Sequence, residues 1–75
     1  MEQAFEQADG LAILTTEIQG RLERAHGQAR RALNQTNGLP RDYAGRLGAI
    51  GNLEHALHSL ASAAANLGLE IDVSA

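Results

Sequence analysis

A short run of helix-breaking residues, Asn37-Gly38-Leu39-Pro40, divides this chain into two stretches of helical periodicity. Apolar residues recur at spacings of three and four from Leu11 to Leu33, and again from Tyr43 to Leu67. Asn and Gly tolerate the left-handed conformation that ends many helices, and proline suits a first helical turn. We therefore predict helix one over about 11–36 and helix two over about 40–67.

A connection this short forces two helices to run antiparallel, so the predicted fold is an all-α, coiled-coil-like two-helix hairpin spanning residues 1–68. A break at Asp9-Gly10 would leave a short extra turn at the N-terminus, with Asp9 as the cap of helix one. Side-chain sizes suggest a register that sets large residues against small ones. In this register Tyr43, Leu47 and Ile50 face Ala32, Ala29 and Ala25, while Leu11, Leu14 and Ile18 face Ala64, Ala61 and Leu57.

The last residues differ in pattern from the hairpin. Gly68 is a predicted helix C-cap, and after it Leu69, Ile71 and Val73 alternate with polar residues. Such a segment could add as a strand to the sheet edge of a partner, although short tails of this kind are more often mobile. We predict an extended or mobile tail over 69–75.

Composition and motifs favour a protein without catalytic or metal chemistry. The chain has no cysteine, and its three histidines are expected on the surface, with no third ligand beside His55 and His58. No phosphate loop, nucleophile elbow or HExxH motif is present, so we expect no enzyme activity, no metal and no cofactor. The formal charge of −3 argues against nucleic acid as a partner. Without a signal peptide or an apolar span, we expect a cytoplasmic protein that does not enter a membrane.

Helix two has more apolar surface than helix one can cover. At 100° per residue its apolar residues form two adjacent stripes that span about 200°, whereas those of helix one span only about 100°, the width expected for a single neighbour. An apolar face left over on a small protein usually binds a partner. The predicted partner-binding residues are Tyr43, Leu47, Ile50, Leu53, Ala56, Leu57, Leu60, Ala63 and Leu67.

Charge and glycine are both unevenly distributed. All six arginines lie between Arg21 and Arg46, while residues 1–20 contain four acidic residues and no basic one. This polarity fits complementation of the helix dipoles, or electrostatic steering of a partner.

Glycines inside helices are costly, so they indicate either close approach of another backbone or a tolerant exposed surface. Both interpretations stand for Gly20 and Gly27, contact is favoured for Gly48 and Gly51, and the role of Gly45 is open.

The chain also resembles a known family. A long first helix leads into Asn37-Gly38-Leu39-Pro40, followed by Asp42-Tyr43 and then by Leu53-Glu54-His55-Ala56-Leu57. Over roughly residues 3–67 this is similar to the small co-chaperones of type III secretion needle subunits, the YscE/PscE/SsaE-like proteins. The chain departs from that pattern in having no lysine and many glycines.

The resemblance implies a helical hairpin that binds a larger tetratricopeptide-like chaperone in the bacterial cytoplasm. Together the two chaperones would hold a needle subunit monomeric before export. The family's helix-two positions correspond here to Tyr43, Leu47, Ile50, Leu53, Glu54 and Leu57. An alternative from the residues alone is a self-associating hairpin, a homodimeric four-helix bundle that sequesters another protein. A small helical dimer that binds RNA is a more distant alternative.

Overall fold

Two antiparallel helices make up the fold. The computed structural model describes the backbone of residues 2–73 and the side chains of residues 10–73. Helix α1 spans Glu2–Asn37 and helix α2 spans Arg46–Asn66, and the two pack against each other along α2. No strand occurs in the described residues. The predicted all-α helical hairpin is confirmed.

Helix α1 is longer than predicted. It runs without interruption through Asp9 and Gly10, so the predicted break, the separate N-terminal turn and the capping role of Asp9 are all wrong. A single glycine inside a helix costs roughly 1 kcal/mol relative to alanine. Ala4, Gln7 and Leu11, which are good helix formers on both sides of Gly10, offset that cost.

Helix α1 ends where the sequence indicates, but by a different conformation. The N–H groups of Gly38 and Leu39 donate to the carbonyls of Gln35 and Thr36 at 3.0 and 3.1 Å, which tightens the last turn into a 3₁₀ turn. Gly38 does not take the left-handed conformation. A side chain there would still be crowded, because its Cβ would lie 3.2 Å from the carbonyl oxygen of Gln35.

Helix α2 begins six residues later than predicted. Pro40 lies in a turn, closed by the N–H of Tyr43 on the Pro40 carbonyl at 3.0 Å, so it does not open the helix. Gly45 then adopts a left-handed conformation with φ of 83°, which interrupts any helix running from Pro40. Tyr43 therefore belongs to the connection between the helices.

The longer connection changes the register of the hairpin. The Arg46 guanidinium donates to the carbonyl of Asn37 at 3.1 Å, which joins the start of α2 to the end of α1. Counting equal steps from this contact, we infer a register with His26 level with Leu57 and Leu33 level with Ile50. The predicted pairs are wrong, because Leu11, Leu14, Tyr43 and Leu47 are more than half exposed. The inferred register differs from the predicted one by about seven residues, two helical turns, since residues 40–45 are not helical.

The difference in helix length leaves part of α1 uncovered. At 1.5 Å per residue α1 is about 54 Å long and α2 about 32 Å. In this register the end of α2 is level with Glu17, so the N-terminal part of α1 extends beyond it. Leu11 and Leu14, which were predicted to face Ala64 and Ala61, are accordingly 62% and 51% exposed.

The core of the hairpin is small. Among the described side chains, the buried ones are Leu33, Leu57, Ala64 and His26, each at 2–7% exposure. His26 and Leu33 are seven residues apart on α1, as are Leu57 and Ala64 on α2, so each helix presents one narrow line to the other. The prediction that His26 lies on the surface is wrong, because the shifted register places it against Leu57.

The end of α2 is closed as predicted. Gly68 is left-handed with φ of 69°, the N–H of Leu69 donates to the Ala64 carbonyl at 2.9 Å, and that of Gly68 donates to Ala65 at 3.0 Å. This is the Schellman arrangement, in which the residue after the glycine also packs back on the helix. It turns the chain through a sharp reversal.

After this reversal the tail folds back along α1. The side-chain amide of Gln19 donates to the carbonyl of Glu70, and the N–H of Asp72 donates to a carboxylate oxygen of Glu23 at 3.1 Å. Leu69 and Ile71 are half-buried. Residues 69–73 are thus neither helix nor strand and lie on their own hairpin; Ser74 and Ala75 lie outside the described residues, and the prediction of an extended or mobile tail stays a prediction.

We expect Gly27→Ala to raise the melting temperature. A Cβ at Gly27 would meet no atom within 4 Å, and alanine is favoured over glycine in a helix interior by roughly 1 kcal/mol. A gain of this size corresponds to about 4–8 °C in a domain of this length. Thermal circular dichroism would measure it. Gly68→Ala is the contrasting variant, because its positive φ should make the same substitution destabilising; equal shifts in both variants would contradict this assignment.

Candidate protein-binding face

Helix α1 has an apolar flank beside the line that faces α2. That line runs through His26 and Leu33. At 100° per residue, Ile18, Leu22 and Ala25 all lie to one side of it. These three residues are half-buried, and Leu14 continues the flank beyond the end of α2.

Helix α2 has a matching flank on the same side of the hairpin. Relative to the line through Leu57 and Ala64, Leu53, Ala56 and Leu60 are displaced in the same rotational sense as the α1 flank. Because α1 and α2 are antiparallel, residues displaced in the same rotational sense from the two facing lines lie on the same side of the hairpin. We call the combined surface the open face; it consists of Leu11, Leu14, Ile18, Leu22, Ala25, Ala29 and Ala32 of α1, with Ala49, Leu53, Ala56, Leu60 and Ala63 of α2 and Leu67 at its end.

The tail covers the other side of the hairpin. Gln19 and Glu23, which hold the tail, are displaced from the α1 line in the opposite rotational sense to the open face. Leu69 and Ile71 of the tail therefore cover the part of this side near Gln19 and Glu23. In the described part of the chain, nothing lies over the open face.

The predicted partner-binding residues separate into three groups in the structure. Leu53, Ala56, Leu60 and Ala63 lie half-buried on the open face, and Leu67 lies exposed at its end. Tyr43 and Leu47 are exposed at the turn end of the hairpin, Tyr43 in the connection and Leu47 on the tail side of α2. The remaining two belong to the hairpin seam: Ile50 is half-buried level with Leu33, and Leu57 is a core residue at 7% exposure. Burial removes Leu57 from the partner-binding set.

Sequence reasoning missed the contribution of α1 to this face. The apolar stripe of α1 has the width that one neighbour needs, so it was assigned entirely to the contact with α2. In the structure Leu33 is the only buried residue of that stripe among the described side chains, while Ile18, Leu22 and Ala25 keep part of their surface exposed. The available signal was the length of α1, since a helix that continues through Gly10 must extend past α2.

The overall dimensions agree with an incompletely covered molecule. The accessible surface of 5798 Å² exceeds by roughly 1,400 Å² the value of about 4,400 Å² expected for a compact protein of this mass. The radius of gyration is 17.0 Å, against about 11 Å for a compact chain of this length. A typical specific interface buries about 800 Å² on each partner. The excess surface is therefore large enough for one.

Packing within the hairpin does not explain its helical glycines. A Cβ added at Gly20, Gly27, Gly48 or Gly51 would meet no atom within 4 Å. Gly45 is different, because its left-handed conformation gives it a role in the turn before α2. Gly20 and Gly27 line a groove of about 500 Å³ between α1 and the tail, together with Arg24 and Arg31. The prediction that glycines admit another backbone stays a prediction.

The side chains suited to metal binding are dispersed. In the described segment, no group of three or more His, Cys, Asp or Glu residues is close enough to hold an ion. His55 and His58 are exposed on α2, away from the buried His26.

Comparison with known proteins identifies no relative: the sequence matches no protein-family model and no curated protein, and the fold matches no solved structure. Over the described residues, neither helix is apolar enough along its length to cross a membrane.

Proposed function

We propose that this chain is a non-catalytic protein-binding module whose open face docks on a larger helical protein. The observation that carries this proposal is the asymmetry of the hairpin, whose tail lies on part of one face while the apolar open face has no segment of the tail bound to it. Half-buried Leu and Ala side chains of both α1 and α2 make up this face. Such a face suits a helix or a helix pair of the partner.

The partner we propose is a tetratricopeptide-like chaperone of a type III secretion needle subunit. The support is the family resemblance carried by the turn at Asn37-Gly38 and by the Leu53–Leu57 segment of α2. In this role the hairpin acts in the bacterial cytoplasm as a co-chaperone. It covers apolar surface of the larger chaperone and so helps to keep the needle subunit monomeric.

The distribution of exposed apolar residues also supports a partner that is larger than the hairpin. Leu11, Leu14 and Leu67 are all more than half exposed at the end of the open face. A partner that covers the face from Ala49, which is level with Asn34, to Leu14 must extend over about 30 Å, roughly half of the longest dimension of 63 Å. A repeat protein, whose stacked helices form an extended concave surface, has the required length.

Leu60→Asp should abolish binding to such a chaperone. Leu60 lies in the middle of the open face, and a carboxylate buried there would lose its hydration without gaining a partner. Isothermal titration of the purified chain with a needle-subunit chaperone measures the loss, and circular dichroism checks that the hairpin remains helical. Ala65→Asp is the matched control, since Ala65 is exposed on the other side of α2. Equal binding by both variants, or no binding by the unaltered chain, would refute the proposal.

A further inference from the structure

We propose that, without a larger partner, two copies of this chain pair antiparallel through their open faces, with α1 of one copy on α1 of the other. The inference does not rest on the proposed function, because it follows from how side-chain size and charge change along α1.

Size is graded along the open-face flank of α1. Its N-terminal half presents large side chains, Leu11, Leu14, Ile18 and Leu22, and its C-terminal half presents small ones, Ala25, Ala29 and Ala32. The register shows that this gradient is not matched by α2, because Leu14 extends beyond α2 and remains exposed. A second copy of the same flank, reversed in direction, is its complement. Leu14 then faces Ala32, Ile18 faces Ala29 and Leu22 faces Ala25, large against small at each level.

Charge is graded in the same direction. Residues 1–20 contain Glu2, Glu6, Asp9 and Glu17 and no basic residue, whereas every arginine lies between Arg21 and Arg46. Antiparallel pairing lays the acidic half of each copy along the basic half of the other, twice in one dimer. A parallel pair would set like charges against each other at both ends.

The geometry gives a closed assembly. A two-fold axis between Leu22 and Ala25 brings the same surface of both copies together, so each open face is used once and the pairing closes at two copies. The axis crosses α2 near Leu60, and the antiparallel arrangement therefore also sets α2 on α2 as a four-helix bundle. Stacking two such hairpins along their length shortens no helix but replaces an elongated 63 × 17 × 17 Å chain by a thicker assembly with less exposed surface per copy.

Self-pairing and partner binding use the same face. A partner that docks on the open face must displace the second copy, so the dimer is the resting form from which a heteromeric complex assembles. Binding of a partner is then weakened at high concentrations of this chain.

The first experiment tests the face. Sedimentation equilibrium measures dimerisation of the full chain, and Leu14→Glu is compared with Ile13→Glu. Both residues are exposed, at 51% and 63%, and both lie beyond α2, but Ile13 points away from the open face. We expect Leu14→Glu to raise the dimer dissociation constant by about a hundredfold or more, because symmetry places the change in the dimer twice, and Ile13→Glu to leave it unchanged. A monomeric parent chain, or equal effects of the two variants, overturns the inference.

The second experiment tests the direction of pairing by complementation. In the dimer of the Leu14→Ala variant, the side chains at positions 14 and 32 that face each other are both small. In the dimer of the Ala32→Leu variant, both are large. When the two variants are mixed, each contact pairs one large with one small residue, so the mixed dimer should be tighter than either homodimer. Circular dichroism of each variant controls for folding. A mixed dimer no tighter than the weaker homodimer overturns the antiparallel register.

Cross-linking gives an independent readout of the same direction, since the chain has no cysteine of its own. Ala25→Cys lies beside the axis and should cross-link to its counterpart with a short bismaleimide. In the antiparallel pair, two copies of Leu14→Cys lie 18 residues apart in level, roughly 27 Å at the helical rise, and should not cross-link. Cross-linking of both variants indicates a parallel pair, and cross-linking of neither indicates that the faces do not meet; either result contradicts the proposal.

Discussion

Replacing Leu57 by alanine should unfold the isolated hairpin. Leu57 is one of only three buried apolar residues among the described side chains, and in the inferred register it lies level with His26 in the middle of the seam. Truncating a buried leucine to alanine typically costs 2–5 kcal/mol, at the upper end where the cavity cannot collapse. Small domains without disulfides or metals rarely have more than about 3–5 kcal/mol of stability in total. The expected loss is thus comparable to the whole free energy of unfolding.

The measurement is a thermal and urea titration followed by circular dichroism at fixed protein concentration, because self-association makes stability depend on concentration. Leu47→Ala is the control. Leu47 is in the same helix but is 76% exposed, so its truncation should change the free energy of unfolding by less than about 0.5 kcal/mol. If the two variants melted at the same temperature, Leu57 would not be the core residue that the register makes it.

The hairpin itself could be predicted from the sequence because two independent signals agree. The spacing of apolar residues from Leu11 to Leu33 and from Tyr43 to Leu67 has the period of a helix, and Gly38 lies between the two stretches. Gly68 was also identified correctly, since a glycine after the last apolar residue of a helix is the usual residue of a left-handed cap. Signals of this kind depend only on residues close in sequence.

The start of α2 could not be predicted, because Pro40 fits two local structures equally well. Proline is favoured at the first position of a helix, but its fixed φ is also compatible with a turn, and here Pro40 is the first residue of a turn closed by the N–H of Tyr43. The choice depends on Gly45, whose left-handed conformation ends the turn region five residues later. Once Pro40 was assigned to the helix, the connection became too short and every predicted pair between α1 and α2 was displaced by two turns.

Of the two flanks that make up the candidate binding face, the sequence indicated only the one on α2. The α2 flank from Leu53 to Leu67 was found because its stripe is wider than one neighbour requires. The α1 flank was not found, because large-to-small matching within one chain explained Leu14, Ile18 and Ala25 sufficiently. Large side chains of α1 can be matched to small ones equally well on α2 of the same chain and on α1 of a second copy. Only the exposure of Leu14 separates the two, and exposure depends on the register.

Replacing His26 by leucine should stabilise the hairpin. His26 is 3% exposed, and its Nδ1 is buried without a hydrogen bond to any described residue. A buried polar group without a partner costs about 1–3 kcal/mol, the desolvation that leucine avoids while filling a similar space. We therefore expect the free energy of unfolding to rise by an amount in this range. Urea denaturation at fixed protein concentration measures the change.

His58→Leu is the matched control, because His58 is exposed on α2 and its replacement should leave stability nearly unchanged. A loss of stability in His26→Leu would mean that Nδ1 acquires a partner in solution, or that leucine overfills the seam. His26→Val separates these two, since a smaller side chain relieves crowding but restores no hydrogen bond. A gain would show that this chain keeps an imidazole in its seam at the expense of the isolated hairpin. Such a residue is tolerated when stability in the working state comes from what covers the open face, whether a second copy or a larger partner.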